Sequence, residues 1–193
     1  MKSVLISIQP KWCELIASGK KTVEVRKTRP KIETPFKVYI YMTAGDAVYP
    51  VSINGAPYTC RNVGGKVVIG DFVCDKIYDI KPHYDIPIFC NQYEYGWKIG
   101  EAEDCISFED LDFYLGGKCG YGWHISDLVI YDKPKKLSRF YHYCGDYPKC
   151  DGCEAHYFSN TECGKEDYCY SPMYGCKHLT RPPQSWCYVE EVN

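Results

Sequence analysis

The chain opens with an apolar run, an amphipathic segment and an alternating segment, an order that predicts strand, helix and strand. Four of the six residues 3–8, SVLISI, are large aliphatic residues, as in a buried strand. Pro10 then favours the first turn of a helix, in which apolar residues recur on one face. Gly19 is the expected C-terminal cap of that helix, since glycine readily adopts a left-handed conformation.

Two segments that follow alternate with the period of a strand. In residues 22–26, TVEVR, the two valines point one way, while Glu24 and Arg26 point the other. In residues 36–43, FKVYIYMT, the same rule opposes Tyr39 and Tyr41 to the aliphatic residues and predicts that both tyrosines lie on a polar face.

The remaining pattern predicts an α+β fold that is mainly β. We expect a loop or irregular hairpin over 44–65, a long strand over 65–80 that bends at Gly70, a helix from Ser107 to Gly116, a strand over 120–132 and a final strand over 184–192. About six strands and two or more short helices are too few and too long-looped for a sandwich. A small mixed β-barrel fits them better.

Composition and charge narrow the function classes. Apolar residues make up 45% of the 193 residues, which is enough for a packed core, and the net charge is −2. The protein as a whole is therefore not a basic nucleic-acid binder, and any such contact needs a local patch. No apolar run reaches the roughly 18 residues of a membrane span, and the first residues do not resemble a secretion signal. We expect a cytoplasmic protein without membrane contact.

Seven of the thirteen cysteines fall between 144 and 187, in a segment that is almost without aliphatic residues. Such a segment cannot bury a core of its own, so a structural zinc ion is the favoured staple, with disulfides and free thiols as alternatives. This predicts three parts: a barrel over 1–139, a cysteine-rich zinc-binding insert over 140–180 and a final strand over 181–193.

The zinc ligands are sought among the clustered cysteines. Cys150 and Cys153 form the C-x2-C pair that one tight turn can present to a metal. The other candidate ligands are Cys144 and one of Cys163, Cys169 or Cys176, with His156 and His178 in reserve. The spacing does not select four of them, and a second metal stays possible.

The segment GKKTVEVR, residues 19–26, has two lysines, a glutamate and an arginine within eight residues. Lys21 follows the helix cap, while Glu24 and Arg26 share a strand face, so one acid and two cations border the space between helix and sheet. Arginine can fork onto a phosphate or a base edge, and glutamate can accept from an exocyclic amine. The alternative is a solvated strand face with ion pairs of little energetic value.

The same segment resembles the signature of the ASCH domain, a relative of the PUA barrel. The family motif G-x-K-x-x-E-x-R is matched by Gly19, Lys21, Glu24 and Arg26, and the preceding Gln9-Pro10 and Trp12 also fit. The tail RPPQSWCYVEE, residues 181–191, resembles a bacterial and phage branch with a cysteine-rich insert.

The resemblance implies binding of nucleic acid, RNA rather than DNA, or of a nucleotide-like small molecule. The residues expected at the ligand are the three charged residues of the motif, a strand tyrosine, a histidine and two residues before the last strand: Lys21, Glu24, Arg26, Tyr41, His124, Gln184 and Ser185.

Two other functions remain open at this point. Some small bacterial ASCH proteins are amidohydrolases of acetylated cytidine, which would make Lys21 and Glu24 catalytic. Their threonine three residues after the lysine is replaced here by Glu24. Alternatively, the zinc insert could contact a protein partner, as in a phage-encoded interaction module.

Overall fold

The computed structural model describes residues 3–44, 50–53, 56–59, 65–83, 86–91, 94–95, 105–142 and 179–191. The strands there are β1 (Ser3–Ile8), β2 (Val23–Arg26), β3 (Phe36–Met42), β4 (Pro50–Ile53), β5 (Ala56–Thr59), β6 (Val67–Cys74), β7 (Ile77–His83), β8 (Ile86–Asn91), β9 (Glu94–Tyr95), β10 (Gly120–His124), β11 (Ser126–Lys136), β12 (Phe140–His142) and β13 (Trp186–Glu191). The α-helices are α1 (Pro10–Ala17) and α2 (Phe108–Leu115), and Leu137–Arg139 form a 3₁₀ turn.

The strands form two large sheets and one hairpin. The first sheet has the order β11-β6-β3-β1-β13-β12, the second β2-β10-β7-β8-β9, and β4 pairs with β5. The prediction of a mainly β, α+β fold is confirmed. The predicted closed barrel is not found, because the pairing of the described strands leaves both large sheets open. The two sheets instead share a core, to which both contribute side chains.

β1 is a central strand of the first sheet, and both of its faces are buried. It runs parallel to β3 and antiparallel to β13. One face of this part of the sheet contributes Val4, Ile6 and Ile40 to the main core, where Trp123 of β10 is fully buried. Because β1 pairs with the last strand of the chain, residues far apart in sequence meet at its two ends.

The prediction that Tyr39 and Tyr41 lie on a polar face of β3 is wrong. Tyr39 is 5% exposed and Tyr41 is 2% exposed. They belong to a second apolar cluster, in which Tyr39 packs edge-on against Phe140 with 4.8 Å between ring centroids. Alternation correctly divided the strand, but β12 and the chain around Leu179 cover the second face as well. A sequence pattern cannot show such a cover when it comes from a distant part of the chain.

The long strand predicted over 65–80 is two strands, β6 and β7, separated at Asp75–Lys76. Gly70 lies at a register shift between β3 and β6, as expected for a bend. A Cβ atom at this position would collide with the carbonyl oxygen of Val129 on β11. Glycine is required here by the close approach of a neighbouring backbone.

Both helices have the predicted ends. In α1, Gly19 has a φ of +72°, and the amides of Gly19 and Lys20 bond to the carbonyls of Ile16 and Leu15, as in a Schellman motif. In α2, the hydroxyl of Ser107 accepts from the amide of Asp110, and Gly116 is left-handed with a φ of +63°. These caps fix where the chain leaves each helix.

The predicted zinc ligands, Cys144 to Cys176, lie outside the described residues, so that prediction stays untested. Within the described part, no group of three metal-binding side chains is present. The chain leaves the first sheet after β12 and returns to the neighbouring strand β13. Among the helices that the structure describes, none has the length and apolar character needed to span a bilayer.

Candidate functional site

β2, an edge strand of the second sheet, carries the charged motif into the space between the sheets. Val23 and Val25 pack on Leu111 and Leu115 of α2. Glu24 and Arg26 therefore point the other way. They lie on the same side of the sheet as Trp123 of β10, which is directly opposite Glu24 in the β2–β10 pairing. The alternation predicted from the sequence thus directs the charged side chains towards α1 and the end of β1.

The three charged side chains converge, and we call them the triad: Lys21, Glu24 and Arg26. One oxygen of Glu24 lies 2.8 Å from an Nη of Arg26, and the other lies 3.5 Å from Nζ of Lys21. The side chains are 1%, 8% and 9% exposed for Lys21, Glu24 and Arg26. A solvated strand face would leave these groups in water, whereas this arrangement holds a carboxylate between two buried cations.

Arg26 also links the triad to β1 and to the approach of the last strand. Its Nη2 donates to the carbonyl oxygen of Ser7 at 2.7 Å. Ser7 in turn bonds with the segment before β13: its hydroxyl donates to the carbonyl of Pro183 and its amide to that of Ser185. These bonds bring Gln184 and Ser185 to the same site. The Nε of Arg26 is buried without a hydrogen-bond partner in the described structure.

A cleft of about 610 Å³ opens above the triad. Its floor is formed by the triad and Ser7, and its polar rim includes Gln184 and Ser185. The cleft is also lined by Gln9, Lys11, Trp12, Asp110, Phe113 and Tyr114. A cleft of this size lies within the range of about 300–1,000 Å³ that is usual for small-molecule sites.

Aromatic side chains form the walls of the cleft. Trp12 of α1 lies close to two cations, with Nζ of Lys11 4.3 Å and Nζ of Lys21 5.2 Å from its ring centroid. Phe113 and Tyr114 line the cleft from α2 and are 89% and 37% exposed. A large aromatic ring that is almost fully exposed is unusual for a core helix, and here it borders a cavity.

Tyr114 joins α2 to the triad electrostatically. Burial raises the pKa of its phenol, and the positive charge of Arg26 opposes that shift, while Glu24 adds to it. The net shift is upward, so the hydroxyl remains protonated at neutral pH and can donate a hydrogen bond.

Two residues expected at the ligand lie elsewhere. Tyr41 is enclosed in the second apolar cluster, where burial raises the pKa of its phenol. His124 is on β10 with its Nδ1 2.7 Å from an oxygen of Asp75, and its ring meets Tyr78 edge-on. Neither residue lines the cleft.

Sequence reasoning missed the wall contributed by α2 and the role of Ser7. The helix itself was predicted, but no periodicity says which element it faces. The adjacent aromatic residues Phe113 and Tyr114 were a usable signal, because the apolar face of the helix is already filled by Leu111 and Leu115.

Comparisons with known proteins agree with this architecture. Residues 6–81 match the ASCH domain family model. The structure is similar to the crystal structure of ASCH from Zymomonas mobilis, with a TM-score of 0.52 and 18% identity over 97% of this chain and 87% of that one. It is equally similar to a tyrosine-to-phenylalanine mutant of that protein, with a TM-score of 0.53, 19% identity and coverages of 98% and 91%. No curated protein matches the sequence.

The sheets, the helix between β1 and β2 and the charged cleft thus define a mixed α+β protein whose fold is similar to that of the ASCH crystal structures. The ASCH family model matches residues 6–81, so the resemblance predicted from the motif is confirmed for that part of the chain.

Proposed function

We propose that the cleft binds one nucleotide unit of a single-stranded nucleic acid, RNA rather than DNA. The motif resemblance implies RNA for this family, and the geometry of the cleft supports a nucleotide as the bound unit. The observation that carries the proposal is the meeting of a buried cationic floor with aromatic walls in one cavity.

The walls suit a planar base. Trp12 and the exposed ring of Phe113 line the cleft from two different helices. Stacking of a base on an aromatic side chain is worth about 1–3 kcal/mol and depends little on the base. We therefore expect the base to contact the walls, with its edge towards the polar rim, while the phosphate lies nearer the cationic floor.

The floor suits an anionic ligand. Two cations and one carboxylate leave a net charge of +1 at the triad, and this charge is shielded from water. Glu24 keeps unused lone pairs, because a carboxylate can accept about four hydrogen bonds. It can thus accept from an exocyclic amine while it orients Lys21 and Arg26.

The rim supplies groups that can distinguish base edges. Gln9 and Gln184 border the cleft with amide side chains, and both are exposed. An amide offers a donor and an acceptor side by side, which matches the edge of a base. Ser185 adds a hydroxyl beside them.

Binding of labelled eight-nucleotide RNA and DNA strands, measured by fluorescence anisotropy, tests the proposal. Lys21→Met removes a floor charge and keeps the apolar stem beside Trp12, so it should weaken RNA binding at least tenfold. Phe113→Ala removes a wall that is almost fully exposed, and about 1–3 kcal/mol of stacking corresponds to a loss of roughly 5- to 150-fold. Its melting temperature should not change.

The chain offers a matched control for each variant. Lys20→Met alters the exposed neighbour of Lys21, and Val129→Ala truncates a side chain that is 51% exposed and outside the cleft lining. Both should bind like the parent protein. Equal losses in variants and controls, or no binding to any strand, would reject the proposal. Turnover of acetylated cytidine that Lys21→Met abolishes would assign the cleft to amide hydrolysis instead.

A further inference from the structure

A second concavity, which we call the basic groove, lies beside the cleft. Its volume is about 940 Å³, and it is formed by the loop between β2 and β3 together with one residue each from β7 and β10. Its lining includes Lys27, Thr28, Arg29, Lys31, Glu33 and Tyr121. Three cations thus face one carboxylate, in a protein whose overall charge is −2.

The loop that forms the basic groove is held against the last strand. The indole N–H of Trp186 donates to the hydroxyl of Thr28 at 3.0 Å, and the amide of Lys31 donates to the phenol oxygen of Tyr188 at 2.7 Å. Trp186 and Tyr188 pack on each other and on the main core. The backbone that carries the cations is therefore anchored at two points.

The cations of the groove remain available to a ligand, and one of them is positioned by an aromatic ring. The guanidinium of Arg29 lies 5.6 Å from the ring centroid of Tyr121. A stacked guanidinium still presents its edge N–H groups to a phosphate, and stacking restricts its freedom. Lys27, Arg29 and Lys31 are all exposed.

The basic groove and the cleft share a border. Lys27 lines the groove, and Arg26, the residue directly before it in the sequence, lines the cleft. Nζ of Lys27 lies 5.0 Å from the ring centroid of Tyr114, which is a wall of the cleft. A polynucleotide that left the cleft past this contact would enter the basic groove.

We propose that the basic groove binds the phosphates that flank the nucleotide held in the cleft. The preferred ligand is then a single strand of several nucleotides, and a free nucleotide occupies only part of the site. This inference rests on the proposed function, since it extends the strand from the same cleft. Glu33 also lines the groove and offsets one of its three positive charges.

The test compares an eight-nucleotide RNA strand with a nucleoside monophosphate, by anisotropy and calorimetry, on the full chain. The variant Arg29→Ala/Lys31→Ala removes two exposed cations and keeps the backbone bond from Lys31 to Tyr188. Its control, Lys20→Ala/Lys118→Ala, removes two exposed cations that line neither concavity. Circular dichroism should show the same fold for both.

We expect the groove variant to lose at least tenfold in affinity for the strand and less than threefold for the monophosphate. The slope of log K against log salt for the strand should shrink by about 1.4, because each phosphate contact on a single strand contributes about 0.7. The control should retain the parent slope within about 0.3.

The outcomes separate the two proposals. If the parent protein binds the strand and the groove variant keeps both its affinity and its salt slope, the groove proposal is overturned and the cleft proposal survives. If the control loses as much as the groove variant, net charge explains the effect and the groove proposal is overturned. If neither ligand binds the parent protein, both proposals fail together.

Discussion

Replacing Glu24 by glutamine removes one charge from the triad without changing its volume. The amide can still accept from Arg26 through its oxygen, but it places an NH2 group towards Lys21. Two buried cations, with side chains 1% and 9% exposed, would then share a neutral partner. We predict that Glu24→Gln destabilises the folded protein although it creates no cavity.

The magnitude follows from the two distances. At an effective dielectric constant of 20, contacts of 2.8 and 3.5 Å correspond to gross attractions of about 6 and 5 kcal/mol. The desolvation of Glu24 offsets much of this, and removal of one member of a buried ion pair typically costs about 3–5 kcal/mol. In a protein of this size, 1 kcal/mol shifts the melting temperature by about 2–4 °C. The expected decrease is therefore roughly 6–20 °C.

A double-mutant cycle checks that the loss is electrostatic. Urea unfolding gives the free energy of unfolding for Glu24→Gln, for Lys21→Met and for the double variant. Because Lys21→Met removes one of the two cations left unpaired, the double variant should be less destabilised than the sum by about 0.5–3 kcal/mol. Additive losses, or a Glu24→Gln variant within about 1 kcal/mol of the parent, would refute the view of the triad as a coupled buried network.

Three further predictions concern other parts of the chain. Protein purified without chelator should carry at least one zinc per chain by mass spectrometry, and Cys150→Ser/Cys153→Ser should lose it; an unchanged metal content would contradict the assignment. Gly70→Ala should cost about 1–3 kcal/mol in urea unfolding, since the new Cβ meets the backbone of Val129; an unchanged midpoint would mean that β11 can move away. Burial raises the pKa of Cys187 from 9.0 to about 11, so the folded state holds a proton that the unfolded state releases. The free energy of unfolding should therefore fall by up to about 1.4 kcal/mol per pH unit between pH 9 and 11, and this component should be missing in Cys187→Ala; a constant difference between the two proteins would refute it.

Helix ends and the alternation of side chains in a strand could be predicted from the sequence, because residues close along the chain determine them. The cap at Gly19, the cap at Ser107 and the alternation of residues 22–26 all depend on contacts within a few residues, and the structure has all three. Glycine at 70 was also identified as a bend, although its reason, the approach of β11, was not visible.

The features that the sequence analysis did not predict correctly depend on contacts between segments that are far apart in the sequence. Tyr41 was placed on an open face because the cover supplied by β12 and Leu179 lies far away in sequence. The barrel was inferred from the number of strands and the length of their connections, and neither determines whether a sheet closes. The α2 wall of the cleft was missed for the same reason, since the side of β2 on which α2 lies is set by Leu111 and Leu115 and not by the charged motif.

The position of the triad makes a purely structural role a poor explanation of its chemistry. Apolar residues of similar volume are often as stable as a buried ion pair, since desolvation cancels most of the attraction. Here the charges lie where the two sheets meet. Arg26 of β2 bonds to Ser7 near the end of β1, and Ser7 bonds to the segment before β13. That arrangement fixes a net positive charge at the floor of an aromatic cleft with little freedom to reorganise. Such preorganisation lowers the cost of binding an anion, because the cations are already desolvated and oriented before the ligand arrives.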